Sequence, residues 1–376
     1  MRTGCCRCRS HRLVRRAPTL IAYRGNVSDA LGPVARAVAA IDRAIALLDR
    51  GLAETYRVSA FVKAKPRFQE LTNEEVQNRV DAKTLTDLPG VGSSIAALVE
   101  DAVLGRPSAY LTKLDAETAV ATTPEGARIR ESLRGDLHVH TDWSDGGASI
   151  VDMARAAAAI GHSYLAVTDH SGRLTVAKGL DRSRLARQLD EHARIREQIL
   201  AEFGIRIVTG VEVDINEDGT LDGDDEILAN LDVVVASVHA KLGMERDLMT
   251  QRLLRAVTNP NVDVLGHCTG RKVTGRGRKE QQADWAAVFK ACADFGTAVE
   301  INCRPERLDP PHRLMTQALA LGCVFAIDSD AHAPGQLEWQ PLGCTRAAEV
   351  GIEPEDIINS WNWDQLRDWT ASHATL

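Results

Sequence analysis

The 376-residue chain lacks the features that define several large classes of protein. No apolar run approaches the ~20 residues that a membrane-spanning helix requires. The eight cysteines do not form a disulfide framework, because Cys5, Cys6 and Cys8 crowd together and the other five are scattered singly. An excess of basic residues is also missing. The net charge of −7 gives no global attraction to nucleic acid, so any DNA contact must come from a local patch or from backbone amides.

Residues 1–30 form a basic segment whose first 25 residues contain seven arginines and no acid. The segment has little helical periodicity and no apolar core of a signal peptide. Cys5, Cys8 and His11 lack the second, distant ligand pair of a closed zinc site. We therefore expect a disordered basic tail or an over-long start. The scattered cysteines favour a reducing, cytoplasmic location.

Residues 33–114 are predicted to form a small all-α domain. PVARAVAAIDRAIALLDRG places apolar residues on one helical stripe that stops at Gly51. ETYRVSAFVKAKPRFQEL predicts a second helix that ends near Pro66. Residues 115–133 are short, polar and read as a linker.

Within this domain, LTDLPGVGSSIAALVEDAV predicts a short helix, a Pro-Gly-Val-Gly turn and a second helix starting at Ser93. The glycines allow positive φ, and the bared amides of Gly90, Val91, Gly92 and Ser93 with the helix N-terminus would bind one phosphate. The turn resembles the helix-hairpin-helix motif, which holds DNA by its backbone without reading the bases. The alternative is a helical hairpin that only packs.

From Arg134 onward an apolar, β-branched run followed by a helical stretch is repeated. The seven runs are GDLHVH, YLAVTDH, IRIVTGVEVD, LDVVVASVH, VDVLGH, TAVEIN and CVFAIDSDAH. The alternation predicts an α/β fold of parallel strands with right-handed crossovers, buried on both faces. We expect residues 134–345 to form this domain and residues 346–376 to form a helical extension.

Ligand-type residues stand at the C-terminal end of every run, where barrel enzymes place their chemistry. His138 and His140 alternate, so on a strand they would project to one side and could share a metal ion. Each such residue alone could be a satisfied histidine or a helix N-cap. Seven strands that all end in this way predict one converging metal site.

The motifs DLHVHTDWSDG, VTDHS, GVEVDI, SVH, GH and SDAH resemble, in this order, the PHP (polymerase and histidinol phosphatase) domain. The resemblance implies a distorted (βα)7 TIM-like barrel with two or three divalent ions (Mn2+, Zn2+ or Fe2+). It implies one ion held by His138, His140, Glu212 and Asp330, a second by Glu212, His239 and His267, and a third by Asp145, His170 and His332.

A cluster of such ions would clamp a phosphate ester and activate a water molecule, so no protein nucleophile is required. Arg271 and Arg304 follow two of the strands, and their forked guanidinium groups suit phosphate. The alternative is a solvated basic loop. Asp169 is predicted to orient the neighbouring His170 from outside the coordination sphere.

NPNVDVLGHCTGRKVTGR and EINCRPERLD resemble the PHP domain of bacterial family X DNA polymerases, and residues 33–114 resemble their N-terminal DNA-binding domain. A linker stands here in place of the palm, fingers and thumb, so we expect no DNA synthesis. The leading hypothesis is a metal-dependent DNA 3′-end-processing exonuclease or phosphodiesterase in repair. The alternatives are a small-molecule phosphatase of the histidinol-phosphatase type and a non-catalytic DNA-binding scaffold.

Overall fold

The computed structural model describes residues 31–373. A small helical domain comes first, and its helices share one hydrophobic core. Its helices are α1 (Pro33–Arg50), α2 (Thr55–Gln69), α3 (Asn73–Ala82), α4 (Ser93–Val103) and α5 (Ala109–Glu117). The predicted basic tail lies outside the described residues. No helix in the described range is both long and apolar enough to cross a membrane.

Helix α2 does not end near Pro66 as the sequence predicts, but continues to Gln69. A proline inside a helix removes one backbone hydrogen bond and crowds the preceding turn. Phe61, Ala64 and Phe68 are buried on the inner face of α2 on both sides of the proline. Their packing therefore holds the helix together across a residue that would end it in isolation.

Seven strands follow, and each is parallel to its sequence neighbours in the order β1 to β7. They are β1 (Gly135–Asp136), β2 (Tyr164–Val167), β3 (Arg206–Asp214), β4 (Val233–Ser237), β5 (Val264–Leu265), β6 (Ala298–Asn302) and β7 (Phe325–Asp328). A bridge between Val139 and Ala331 brings the last strand back to the first. The predicted α/β barrel of seven units is confirmed.

Helices cover the outside of the barrel. They are α6 (Pro124–Ser132), α7 (Ile150–Ala159), α8 (Arg182–Phe203), α9 (Asp225–Leu228), α10 (Arg246–Val257), α11 (Trp285–Phe295), α12 (His312–Ala320), α13 (Gln340–Glu349) and α14 (Trp363–His373). Alternate residues of β2 serve different cores: Leu165 and Val167 pack outward against helices, whereas Tyr164 and Ala166 join the cluster that holds Val235 and Val264. This alternation explains the unbroken apolar strands.

Both segments predicted to flank the barrel are packed onto it. Helix α6 lies within the predicted linker, and Gly126 sits so close to Thr345 of α13 that a Cβ there would lie 2.7 Å from the threonine Oγ1. Helix α13 crosses the predicted boundary between residues 345 and 346. Beyond it, the buried Asn359 accepts from the Ile327 N–H at 2.7 Å and donates to Asp328 at 2.8 Å. The C-terminal segment is therefore part of the barrel.

The helical domain docks directly on the barrel through α1. Arg50 and Arg43 pair with Glu338 at 2.5 and 3.1 Å, and the indole N–H of Trp339 donates to the Arg50 carbonyl at 2.9 Å. These partners lie in the helical turn Pro334–Trp339, which begins two residues after His332. The DNA-binding domain predicted from the sequence thus rests on a loop of the candidate metal site.

Candidate metal centre

All nine predicted metal ligands lie together at the carboxyl ends of the strands. Because β1 ends at Asp136, His138 and His140 follow the strand rather than lie on it. Their ring centroids are nevertheless 5.2 Å apart, and both rings are buried. Parallel strands direct their carboxyl ends to one mouth of the barrel, so ligands distant in sequence meet there.

Glu212 is the centre of the cluster. Its Oε1 lies 3.3 Å from Nε2 of His239 and 2.9 Å from Nε2 of His267. Its Oε2 lies 3.3 Å from Nε2 of His138 and 2.8 Å from Nδ1 of His170. A carboxylate that presents each oxygen to a different pair of histidines suits a ligand that bridges two ions.

Four overlapping groups of side chains could each hold an ion, and their members differ in part from the sets that the resemblance implies. His140 lies with Asp145, His170 and His332 as well as with His138 and Asp330. His170 also joins Glu212 and His239, whereas His267 joins Glu212 and His138. The nine residues therefore form one continuous donor cluster rather than three separate sites.

Several donor atoms of this cluster lie close to one another but are buried without a well-oriented hydrogen bond in the described range. They are Nε2 of His138, both ring nitrogens of His140, Nδ1 of His170, Oε2 of Glu212, Nε2 of His239 and Nδ1 of His267. An unsatisfied buried polar atom costs about 1–3 kcal/mol, so such a concentration needs a ligand. Imidazole and carboxylate donors suit first-row divalent metals. The residues present therefore fit a cluster of divalent ions.

The electrostatics of the cluster are those of a cation site. Burial alone would raise the pKa of Glu212, but the surrounding His239 and His138 lower it well below its usual value. Burial disfavours the charged form of His239, yet Glu212 and Asp214 raise its pKa to about 9. Burial and two neighbouring histidines lower the pKa of His140 well below its usual value. A bound metal ion would replace the protons that now balance the carboxylates.

Two of the ligands have unusual backbone conformations. Asp330 has φ 53° and His267 has φ 22°, both in the left-handed region. Such residues cost about 1–3 kcal/mol and cluster at functional sites. The Asp330 carbonyl is held by Nη1 of Arg304 at 3.0 Å and by Nδ1 of His332 at 2.9 Å. The site thus contains the hydrogen bonds that maintain the strained turn.

Two carboxylates outside the predicted ligand set support the histidines. Glu300 Oε1 lies 2.6 Å from Nδ1 of His138, and its other oxygen accepts from the backbone N–H of His267. Asp214 lies 3.1 Å from Nδ1 of His239. Carboxylates in this position fix the tautomer and orientation of a ligand histidine. Glu300 belongs to the run TAVEIN and so to the ligand-type residues at strand ends, but its role could not be assigned from the sequence. Asp214 was missed although it follows Glu212 on the same face of β3.

Asp169 does not orient His170, contrary to the prediction. Its carboxylate accepts from the N–H and hydroxyl of Thr141 at 2.8 and 2.6 Å, from Ser144 at 2.5 Å and from Gln188 at 2.6 Å. These contacts immobilise the loop after His140, which carries Asp145. The side chain supports the site through this loop because its oxygens are fully used there.

The two arginines predicted to bind phosphate lie at the mouth of the barrel with different partners. Arg304 is 3.0 Å from Nδ1 of His332 and beside Asp330. Arg271 donates to the backbone carbonyls of Arg307 and Leu308, so much of its guanidinium is occupied. Arg304 is therefore closer to the donor cluster, and Arg271 braces the loop that carries it.

The predicted phosphate-binding turn lies in the helical domain. Gly90 has φ 83°, whereas Gly92 has φ −80° and precedes α4, which begins without a side-chain cap. A Cβ at either glycine would meet nothing within 4 Å. The sequence predicts that the Val91 amide is free to bind phosphate. Instead, its N–H donates to the Leu88 carbonyl at 3.0 Å and the Val91 side chain is buried, so this amide is not available. The open face around Gly90, Gly92 and Ser93 lines a groove of about 720 Å³ with Tyr56 and Arg57.

Comparison with known proteins identifies relatives of the barrel. The PHP domain family model matches residues 136–304. "DNA polymerase/3'-5' exonuclease PolX" of Bacillus subtilis (strain 168) is 38% identical over 229 residues, which are 61% of this chain and 39% of that protein. A "Probable phosphatase" of Thermoanaerobacter sp. (strain X514) is 30% identical over 238 residues, covering 60% of this chain and 89% of the relative. Among solved structures, the chain is similar to the histidinol phosphate phosphatase of Lactococcus lactis subsp. lactis Il1403, which was solved with zinc, L-histidinol and phosphate. The identity is 19% and the TM-score 0.44, and the match covers 58% of this chain and 94% of that one.

The barrel and its donor cluster define a hydrolase of phosphate esters that depends on metal ions. The chain belongs to the PHP family, whose model matches residues 136–304. It spans only 39% of the length of the Bacillus relative.

Proposed function

We propose that the protein is a DNA 3′-end-processing exonuclease or phosphodiesterase that acts in repair. The observation that carries the proposal is the docking of a helical domain with an open glycine turn onto the loop that follows ligand His332. A 38% identical relative is named as both polymerase and 3'-5' exonuclease, which supports a DNA substrate.

In this proposal His138, His140, Glu212 and Asp330 hold one manganese, zinc or iron ion, and Glu212 shares a second with His239 and His267. Asp145, His170 and His332 would hold a third. The ions, when bound, supply Lewis acidity that lowers the pKa of a water molecule and neutralises phosphate charge. Glu300 and Asp214 hold His138 and His239 in place for this task.

Arg304 is proposed to bind a non-bridging phosphate oxygen of the substrate, because its guanidinium lies at the rim beside His332. Arg271 is proposed to assist by bracing the Arg304 loop. The amides of Gly90, Gly92 and Ser93, with Val91 supporting the turn, would hold a backbone phosphate of the DNA through the helix N-terminus. We also propose a cytoplasmic location, where the five described free cysteines would stay reduced.

A second candidate is a small-molecule phosphatase of the histidinol-phosphatase type. The 30% identical relative, of which this chain covers 89%, is named a phosphatase, which favours this alternative. The same metal cluster could cleave a monoester. A free metabolite would leave the helical domain without a role, so we rank this candidate second. The complete donor set argues against a non-catalytic scaffold.

The test compares substrates on the purified protein supplied with Mn2+. We expect a 5′-labelled single strand to be shortened stepwise from its 3′ end, with slower turnover of histidinol phosphate. His138→Ala should abolish the shortening, and the matched control His312→Ala should not, because His312 is half-exposed on α12 and pairs with Glu349. A preference for histidinol phosphate would favour the second candidate, and full DNA cleavage by His138→Ala would contradict both.

A further inference from the structure

A strongly basic loop follows the ligand His267 at the mouth of the barrel. Residues 271–280 read RKVTGRGRKE, with five basic residues and one acid in a chain of net charge −7. The backbones of Lys272 and Arg278 exchange hydrogen bonds of 3.0 and 2.9 Å, so the segment folds back on itself. Gly275 and Gly277, at its tip, have φ 64° and 63°, which glycine adopts without strain. We call residues 271–280 the basic loop.

The base of the basic loop is joined to the metal centre. The N–H of Val273 donates to the carbonyl of Glu306 at 2.7 Å. The Glu306 carboxylate accepts from Nε of Arg304 at 2.9 Å, and Arg304 lies 3.0 Å from Nδ1 of His332. The loop therefore starts four residues after one ligand, His267, and its base contacts Glu306, which binds the Arg304 side chain beside another ligand, His332.

Within the basic loop, Arg278 donates from Nε to the Gly270 carbonyl, but the charges of most of its basic side chains are not neutralised by an ion pair. Arg271 pairs with Glu280, but the other basic side chains are exposed and form no ion pair with a residue in the range 31–373; they are Lys272, Arg276, Arg278 and Lys279. Partial burial lowers the pKa of Lys272, and the nearby Arg307 lowers it further, against an opposing effect of Glu306. Five cations against the nearby Glu280 and Glu306 leave a net positive charge, which raises the local concentration of an anionic ligand.

We propose that the basic loop binds the backbone of a single-stranded DNA 3′ terminus, holding the phosphates behind the one that enters the metal centre. This inference rests on the proposed function. A phosphomonoester has one phosphate, which the metal centre and Arg304 would bind. Such a substrate leaves the exposed tip of the loop without a partner. A DNA strand carries further phosphates at regular intervals, and a basic groove that follows the backbone is the usual way to hold it.

The test removes three charges from the loop and three from elsewhere. The loop variant is Lys272→Gln, Arg276→Gln and Lys279→Gln together. The matched control is Arg187→Gln, Arg194→Gln and Arg196→Gln, which removes the same charge from the exposed side of α8 between β2 and β3. Both are assayed for oligonucleotide binding over a range of salt concentrations and for hydrolysis of bis(p-nitrophenyl) phosphate, a small diester.

We expect the loop variant to bind the oligonucleotide at least ten-fold more weakly at low salt. The slope of log affinity against log salt should fall by about 2, because each phosphate contact on a single strand contributes about 0.7. Hydrolysis of the small diester should be unchanged, and the control should match the wild type in every assay.

Equal weakening in the control, or unchanged DNA binding in the loop variant, would overturn the inference. Equal loss on the small diester would also overturn it, since the loop would then serve the reaction centre itself. If the wild type cleaves the diester but not DNA, the proposed function fails instead, so the two failures are distinguishable.

Discussion

Substitution of Gly335 by alanine should separate the helical domain from the barrel. Gly335 lies in the turn that contacts α1, and a Cβ there would be 1.8 Å from the Ala46 carbonyl oxygen and 2.6 Å from its carbon. Both are backbone atoms of a helix and cannot rotate away. Because non-bonded heavy atoms in contact lie about 3.5 Å apart, the gap to the Ala46 carbonyl oxygen must widen by roughly 1.7 Å.

The expected loss of stability comes from the contacts that this movement of α1 disturbs. Overpacking of a close contact costs about 1–3 kcal/mol. The displacement also loosens the contacts of Glu338 with Arg50 and Arg43, at 2.5 and 3.1 Å, and a hydrogen bond between charged groups is worth about 1.5–3 kcal/mol. These losses share one movement and do not add fully. We expect the free energy of unfolding to fall by about 3 kcal/mol.

Urea denaturation followed by circular dichroism would measure the loss. The control is Gly243→Ala, because a Cβ at Gly243 meets nothing within 4 Å and its φ is not positive. Metal affinity is a second readout: the His332 N–H donates to Gln336 at 2.7 Å, so a shifted turn should weaken binding. If Gly335→Ala were as stable as Gly243→Ala, with unchanged metal affinity, the docking of the two domains would be refuted.

Three further predictions test single residues. Glu300→Gln should weaken binding of Mn2+ or Zn2+ by about 10–100-fold in calorimetry, because it removes the carboxylate that lies 2.6 Å from Nδ1 of His138. Unchanged metal affinity would contradict the supporting role of Glu300. Asp169→Asn should lower the metal content measured by mass spectrometry, because the loop that carries Asp145 loses its anchor, and a full complement would argue otherwise. Burial raises the pKa of Asp49 from 3.8 to about 7, so the folded state binds the proton more tightly and its stability falls as pH rises from about 4 to 7. Asp49→Asn should therefore raise the free energy of unfolding at pH 8 by up to about 4 kcal/mol and leave it unchanged at pH 4, and an equal effect at both pH values would exclude this origin.

The order of elements and the positions of the ligands were readable from the sequence alone. Alternating strand and helix patterns imply parallel strands, and parallel strands send their carboxyl ends to one mouth. For this reason His138, Glu212, His267 and Asp330 could be assigned to one site although nearly two hundred residues separate the first from the last. These four positions follow strand ends, which local apolar patterning marks well.

Only the tertiary structure decided which neighbours those residues have. Asp169 looks like a partner of His170 in sequence, yet its oxygens face Thr141 and Ser144 because the loop after β1 folds back over it. Pro66 predicts a helix end, but packing on both sides overrides that local preference. The docking of α1 through Gly335 and the assignment of Asn359 to the barrel also come from contacts between distant segments. Local sequence patterns show which residues of a helix or strand are buried. Side-chain partners depend instead on loop paths and close packing, which no local pattern encodes.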